Sequence, residues 1–553
     1  MRAGSSLRRR SRLLLPLSEH VVRLSSSEVR VVAEEAVTGA EALMAAVTRR
    51  GVRVCFANPG TTEMPLVAAL DRTPGTRGVL GLQENVCTGA ADGYARIAGH
   101  AAMTLLHLGP GLANGLANLH NARRAHTPVI NVVGDHMSWH LPYDAPLTSD
   151  IAALAATVGS VHTVSGRDTV DAATRAAIDD AHSRPGVSTL IVPADYQQDR
   201  APASGSATES SSRRRVRVES SWVKEVAVRM RTAGASTVLL LGGNALTRAG
   251  QHAAGRIAAH TGATLFSETF PAVASRGAGL PAIDRLPYFP EAAIAALGNR
   301  DLVVVAGADE PVAYFGYVGL PSRLAGPETL ASLARPGEDA EEALIELADL
   351  LGATAPADSA SPPPPRLPDP DAPLTGATVG QTVAACLPED AIVSVEGGTC
   401  GYPFYTASAA AVAHTVLTNT GGAIGQGLPC ALGAAIAAPD RPVIALQSDG
   451  SGLYTAQALW SMSRERANVT VLIAANHTYN VLRTELNRHG ESDFGPQAAA
   501  LTSLSDPRID WIALAAGYGV PGRRAATAGE LSRAMADAVS ADGPHLIEMA
   551  ISI

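Results

Sequence analysis

Along nearly the whole chain, short runs of Val, Ile, Leu and Ala are each followed by a longer segment of helical period. The first third reads VRVCFANPG then TEMPLVAALD, RGVLGLQ then ENVCTGAADGYARIAG, AAMTLLHLG then ANGLANLHNARRAH, and finally TPVINVVGD. A strand buried on both faces is apolar throughout, and a helix between successive strands lets the next one return in parallel. The pattern predicts βαβ units, hence an α/β fold whose mainly parallel sheets are flanked by helices. The style recurs in STVLLLGG, GATLFSET and DLVVVAGAD. It recurs again in DAIVSVEGG, QGLPCALGAAIAA, RPVIALQSDG, YTAQALWSMSRERA and VTVLIAANH, with no literal repeat of the first set.

Two Ser-, Pro- and charge-rich stretches, 201–219 (APASGSATESSSRRRVRVE) and 353–373 (ATAPADSASPPPPRLPDPDAP), interrupt the pattern. They cannot bury enough apolar surface to offset their ordering entropy and read as linkers. The expected organisation is a disordered arm at 1–35, a domain at 36–200, a linker at 201–219, a central domain at 220–352, a Pro-rich linker at 353–373 and a last domain at 374–553. The arm is rich in Arg and Ser and poor in acid, a composition shared by transit peptides and disordered tails.

Charge excludes several functions. The 43 Lys and Arg against 52 Asp and Glu leave a net charge of -9, and the one lysine is Lys224. No glycine-rich loop precedes it, so neither a phosphate-loop nucleotidase nor Schiff-base chemistry fits. An acidic chain without a basic face also argues against a nucleic-acid partner. Scattered Cys55, Cys87, Cys386, Cys400 and Cys430 suggest neither disulfides nor zinc, and hence a reducing cytoplasm. No apolar run is long enough for a membrane span.

In parallel sheets, ligands bind beyond the carboxyl ends of the strands. RPVIALQSDGSG delivers Asp449, Gly450 and Ser451 to such an end, before a helix whose N-terminus favours phosphate. The next strand, VTVLIAAN, delivers Asn476, followed by His477, Thr478 and Tyr479. A carboxylate, an amide oxygen and a backbone carbonyl side by side are hard ligands suited to Mg²⁺ with a diphosphate. Each residue alone also reads as a helix cap or turn former.

The D-G-S of 449–451, followed one crossover later by N-H-T-Y-N, resembles the cofactor motif of thiamine diphosphate enzymes, although Ser448 stands where that motif begins with Gly. The likeness implies that Asp449, Asn476 and the main-chain oxygen of Thr478 hold Mg²⁺, while Gly450 and Ser451 take the diphosphate. TNTGGAIGQGLPCALGAAIA is similar to the family's segment beneath the cofactor; Gly422 would offer its carbonyl to the aminopyrimidine and Ile424 would hold the rings together. LQENVCTGAADGYAR resembles the segment carrying the activating carboxylate, here Glu84, which must be buried to share a proton with the pyrimidine. The family fold has pyrimidine-binding, central and diphosphate-binding domains. Its site forms across a dimer interface, so a homodimer or homotetramer is implied.

Within the family, the chain after about residue 38 resembles the benzoylformate decarboxylase and acetolactate synthase branch. NPGTTEMP places Thr61 where the decarboxylase has a substrate-binding Ser, and LLHLGPG places His107 at its proton-transferring His. A second family histidine has no counterpart in EPVAYFGYVGLP, which offers Tyr314, Phe315 and Tyr317; His136 or His140 could substitute. Acetolactate synthases hold FAD in the central domain, but VLLLGGNALTRAG lacks G-x-G-x-x-G. That block therefore reads as a structural, pocket-shaping domain first and an FAD or nucleotide site second. The same gap weakens an NAD-dependent dehydrogenase. The expected activity is decarboxylation of a small-molecule 2-oxo acid, ending in an aldehyde or in carboligation to a 2-hydroxy ketone or acid. A non-catalytic homologue serving as an assembly or regulatory partner is the alternative, against which Glu84, Asp449 and Asn476 count.

Overall fold

The computed structural model describes residues 37–183, 185–201, 215–354, 363–490 and 494–552. The expected arm, most of the 201–219 stretch and part of 353–373 lie outside the described residues.

Three main sheets follow the expected alternation. The first is wholly parallel, in the spatial order Arg77–Leu80, Val54–Asn58, Ala102–Leu106, Val129–Asp135, Val187–Pro193 and Gly159–Thr163. The third sheet has a parallel set in the order His414–Thr418, Ala391–Val395, Val443–Ser448, Val469–Ala475, His545–Ala550 and Gly522–Ala525. Counting only these strands, both sheets run second, first, third, fourth, sixth, fifth. The repeat that is invisible in residue identity is thus present in topology.

Strand order reverses in the first sheet between Val54–Asn58 and Ala102–Leu106, and in the third between Ala391–Val395 and Val443–Ser448. Helices on either side of such a switch point leave to opposite faces and open a crevice. The middle sheet, ordered Asp284–Arg285, Thr264–Ser267, Thr237–Leu241, Leu302–Ala306 and Leu330–Ala334, is also parallel and reverses beside Thr237–Leu241.

The blocks are not independent. Val273–Arg276 belongs to the middle block by sequence, yet it pairs antiparallel with His414–Thr418 of the third sheet. The helix Glu84–Ala98 packs on Gly427–Ala437 so closely that a Cβ at Gly93 would strike the Cys430 carbonyl and one at Gly433 the Ala90 carbonyl. The A-D-G-Y-A-R segment has its own role at this seam. Asp92 and Arg96, 0% and 1% exposed, form a 2.7 Å ion pair. Arg96 also donates to the carbonyls of Ala272 (3.2 Å) and Thr418 (2.8 Å), and Asp92 accepts from Gln426 Nε2 at 2.6 Å. A buried pair so fully hydrogen-bonded ties all three blocks together, and losing one partner would strand a charge.

The helix expected over YTAQALWSMSRERA is divided. A turn at Asp449–Gly452 and a 3₁₀ turn at Leu453–Thr455 precede the helix Ala458–Glu465. Thr455 Oγ1 donates to the Gly425 carbonyl at 2.9 Å, anchoring the break. Among the described residues, no helix is long and apolar enough to cross a membrane.

Candidate active site

The first crevice gathers acids around a histidine. Glu84 opens its helix, buried at 9% exposure, behind the N-cap Gln83, whose Oε1 accepts from the amides of Asn85 and Val86. Asn114 Nδ2 donates to Glu84 Oε2 at 3.1 Å. His107 ends the strand Ala102–Leu106 and caps the helix Leu108–Arg124. A Cβ at Gly111 would lie 3.4 Å from both Glu84 Oε1 and His107 Cβ, so the glycine leaves these two residues facing one space.

Glu63, a residue the sequence reading passed over, completes the group. Fully buried, it places Oε2 2.8 Å from His107 Nδ1 and accepts the Gly60 amide at 2.8 Å and the Thr62 hydroxyl. A Cβ at Gly134 would collide with the Glu63 carboxylate, which gives that glycine its purpose. With Nδ1 directed at a carboxylate, the imidazole is oriented and Nε2 is left to give or take a proton. Thr61 is exposed at the start of the turn Thr61–Glu63; the hydroxyl near His107, at 3.2 Å, is that of Thr62.

His136 follows the strand Val129–Asp135, where burial pushes the Asp135 carboxyl above its usual range. Its ring packs edge-on against His140 at 5.6 Å, and its buried Nε2 has no partner. Among the described residues, no hydrogen bond joins His136 to His107 or Glu84.

The third crevice holds Asp449, 2% exposed at the end of Val443–Ser448, beside the end of Val469–Ala475. Its carboxylate accepts only backbone amides, Gly450 N at 2.9 Å and His477 N at 2.6 Å, and burial raises its pKa. His477 Nδ1 lies 3.8 Å from the carboxylate and has no hydrogen-bond partner among the described residues. Asn476 donates to Thr399 Oγ1 at 3.2 Å and accepts the Thr478 amide at 3.0 Å. Ser451 accepts from Gln447 Nε2 at 2.7 Å. A buried carboxylate with an amide oxygen beside it suits a divalent metal.

The 421–427 loop fits the rest of a cofactor. His120 approaches the Gly421 carbonyl at 3.1 Å, Asn121 donates to that of Ala423 at 2.8 Å and Asn118 to that of Gly425 at 3.2 Å. Among the described residues the carbonyl of Gly422, a residue at φ +77, accepts no hydrogen bond. Ile424 is partly buried beside it. Glu396, a second acid missed in the sequence, anchors the loop by accepting the amides of Gly425 (2.5 Å) and Gly427. Burial raises its pKa. It stands at the end of Ala391–Val395, on the switch point, so the strand-end rule applied to DAIVSVEGG would have selected it. Within the single chain, no hydrogen bond or ion pair among the described residues joins Glu84 to the Asp449 group.

The middle switch point opens a cavity of about 430 Å³ lined by Arg96, Arg124, Gly243, Glu268 and Asp309 among others. A Cβ at Gly242 would lie 2.7 Å from Glu268 Oε1. Glu268 is partly exposed as a residue, but its carboxyl is sunk against that turn, and burial with Asp309 nearby pushes it up to about 8.

This fold and these crevices define a cofactor-binding enzyme class, and comparison with known families names it. Residues 37–154 match the thiamine pyrophosphate enzyme N-terminal TPP binding domain, and residues 388–549 the C-terminal TPP binding domain. The chain belongs to the thiamine pyrophosphate enzymes. More narrowly, it falls in the branch of acetolactate synthase large subunits and benzoylformate decarboxylases. It is 49% identical over 520 residues, covering 93% of this chain and 99% of the relative, to the "Putative acetolactate synthase large subunit IlvX" of Mycobacterium tuberculosis. It is 31% identical to benzoylformate decarboxylase of Pseudomonas aeruginosa, over 91% of this chain and 96% of that one. Among solved structures, the thiamine diphosphate-dependent 4-hydroxybenzoylformate decarboxylase of Rhodococcus jostii RHA1 superposes with a TM-score of 0.81 at 25% identity, covering 94% of this chain and 99% of that chain.

Proposed function

We propose that this chain is a thiamine diphosphate- and Mg²⁺-dependent 2-oxo acid decarboxylase of the cytoplasm, with sites completed between subunits of a homodimer, paired further as a homotetramer. The Glu84–His107–Glu63 grouping carries the reading: a buried carboxyl and an oriented imidazole face one space. The subunit pairing rests on the resemblance to the family, whose sites form across a dimer interface. The same intact sets count against a non-catalytic scaffold, which has no use for them.

Asp449, Asn476 and the Thr478 carbonyl would hold Mg²⁺, and Gly450 and Ser451 the diphosphate. The Gly422 carbonyl would receive the aminopyrimidine, with Ile424 supporting the rings. When bound, thiamine diphosphate supplies the electron sink that decarboxylation requires. Glu84 would hold and return the proton that activates the cofactor. His107 Nε2 would deliver the proton that ends the reaction as an aldehyde, with Glu63 supporting the imidazolium, and Thr61 or Thr62 would position the substrate. FAD is no part of the proposal, since VLLLGGNALTRAG has no G-x-G-x-x-G.

One observation favours a second outcome, carboligation. The 311–320 segment has no histidine, and Tyr314 packs edge-on against Phe270 at 5.4 Å, so this part of the wall supplies aromatic faces and no imidazole. His136 is the remaining candidate for a second acid. A panel of 2-oxo acids with mass detection of aldehydes and ligated products separates the outcomes. If Glu84→Gln releases CO₂ at the wild-type rate, the proposed activation is wrong.

A further inference from the structure

A second cavity, of about 440 Å³, lies where the middle block meets the third, on the crossing strand Val273–Arg276 and the helix Gly398–Ala407. None of the groups assigned above lines it. Tyr402 and Tyr405 project from that helix beyond Thr399, the partner of Asn476. The rest of the wall is largely apolar, including Leu280, Pro281 and Ile283.

Two arginines line this space, and neither has an acidic partner among the described residues. Arg276 is 9% exposed; its Cζ sits 3.6 Å from the Tyr405 ring centroid and its Nη2 donates to the Tyr405 carbonyl at 2.6 Å. Its buried Nε has no hydrogen-bond partner. The Arg285 Cζ lies 4.5 Å from the ring centroids of both Tyr402 and Tyr405. Asp284 also lines the cavity but is exposed, and among the described residues it forms no ion pair with either arginine. Burial lowers the Arg285 pKa, as expected of a cation held by aromatic faces alone.

Sinking one guanidinium without a counter-charge is costly, and two in one cavity repel. Guanidinium matches a carboxylate in shape and donor spacing, the tyrosine faces suit a flat body, and the volume is within the range of small-ligand sites. We propose that this cavity binds an organic carboxylate with a flat, apolar body, its oxygens taken by Arg285, with Arg276 adding positive charge from its seat against the Tyr405 ring. The cavity shares a helix with the cofactor crevice, and Arg285 and Tyr402 also reach Phe270, at 5.6 and 6.5 Å between centres.

The test uses the full chain with benzoate as probe and inorganic phosphate as the comparison anion. Wild-type protein binds benzoate by calorimetry, and Arg285→Met, which keeps the apolar stem, weakens binding at least about tenfold. A second measurement needs no variant. Phenylglyoxal labelling read by mass spectrometry slows at Arg285 when benzoate is present and is unchanged by phosphate. Absence of benzoate binding, equal binding by Arg285→Met with unprotected labelling, or binding of phosphate alone would each overturn the assignment.

Discussion

The crevices of the first and third sheets stand at equivalent switch points of one strand order, yet they satisfy their buried acids in opposite ways. In the first, acids have side-chain partners: Glu63 has His107 and Thr62, and Glu84 has Asn114. In the third, Asp449 and Glu396 lean mainly on backbone amides, with a side-chain bond from Gln447 to Glu396 and His477 Nδ1 3.8 Å from Asp449; among the described residues His477 Nδ1 and Gln447 Oε1 lack hydrogen-bond partners. On the proposed reading, the first region would move protons and the third would take a cation and an anion, so the two tasks would differ in which groups the strand ends present.

The largest effect that sharpens this contrast belongs to the first crevice. Glu84→Gln lowers kcat for CO₂ release by about 10²–10⁴-fold, because proton transfer is lost, while calorimetry still registers cofactor binding. Next, in the third crevice, Asp449→Asn abolishes the thermal stabilisation given by thiamine diphosphate with Mg²⁺, about 2.7 kcal/mol at a hundredfold excess over Kd. The same variant without ligands melts no lower than wild type, since it removes a buried charge that lacks a cation. A lower melting temperature for unliganded Asp449→Asn would break the comparison.

A smaller change is expected from Glu63→Gln, which keeps the hydrogen bond but removes the charge beside His107; aldehyde formation falls about tenfold, measured against total CO₂ release. A further test lies outside both crevices. Glu268, raised to about 8, keeps its proton in the folded chain while the unfolded chain loses it at ordinary carboxyl pH. Its contribution to stability is therefore full below roughly pH 4.5 and declines as pH rises toward 8, by up to about 1.4 kcal/mol per unit. Glu268→Gln flattens that dependence in denaturant titrations across the window.

The strands and helices were legible because burial on two faces leaves a continuous apolar run, and Asp449 with Asn476 because the rule of strand ends selects both. What stayed hidden depended on contacts. Glu63 lay within the quoted NPGTTEMP, but its meaning comes from His107 on another strand. Glu396 stands at a strand end and was open to the same rule, but its hold on the amides of Gly425 and Gly427 comes from a loop 29 residues on. VASR at 273–276 alternates as any short strand does, and its letters cannot say which sheet it joins.

That crossing strand also sets an order of assembly. Until residues 273–276 are in place, His414–Thr418 is the rim of its sheet, with one line of amides and carbonyls open to any extended chain. Unpaired strand rims recruit neighbours and seed aggregation. The third block made alone would carry that rim bare, so the earlier part of the chain acts as its guard as well as its partner.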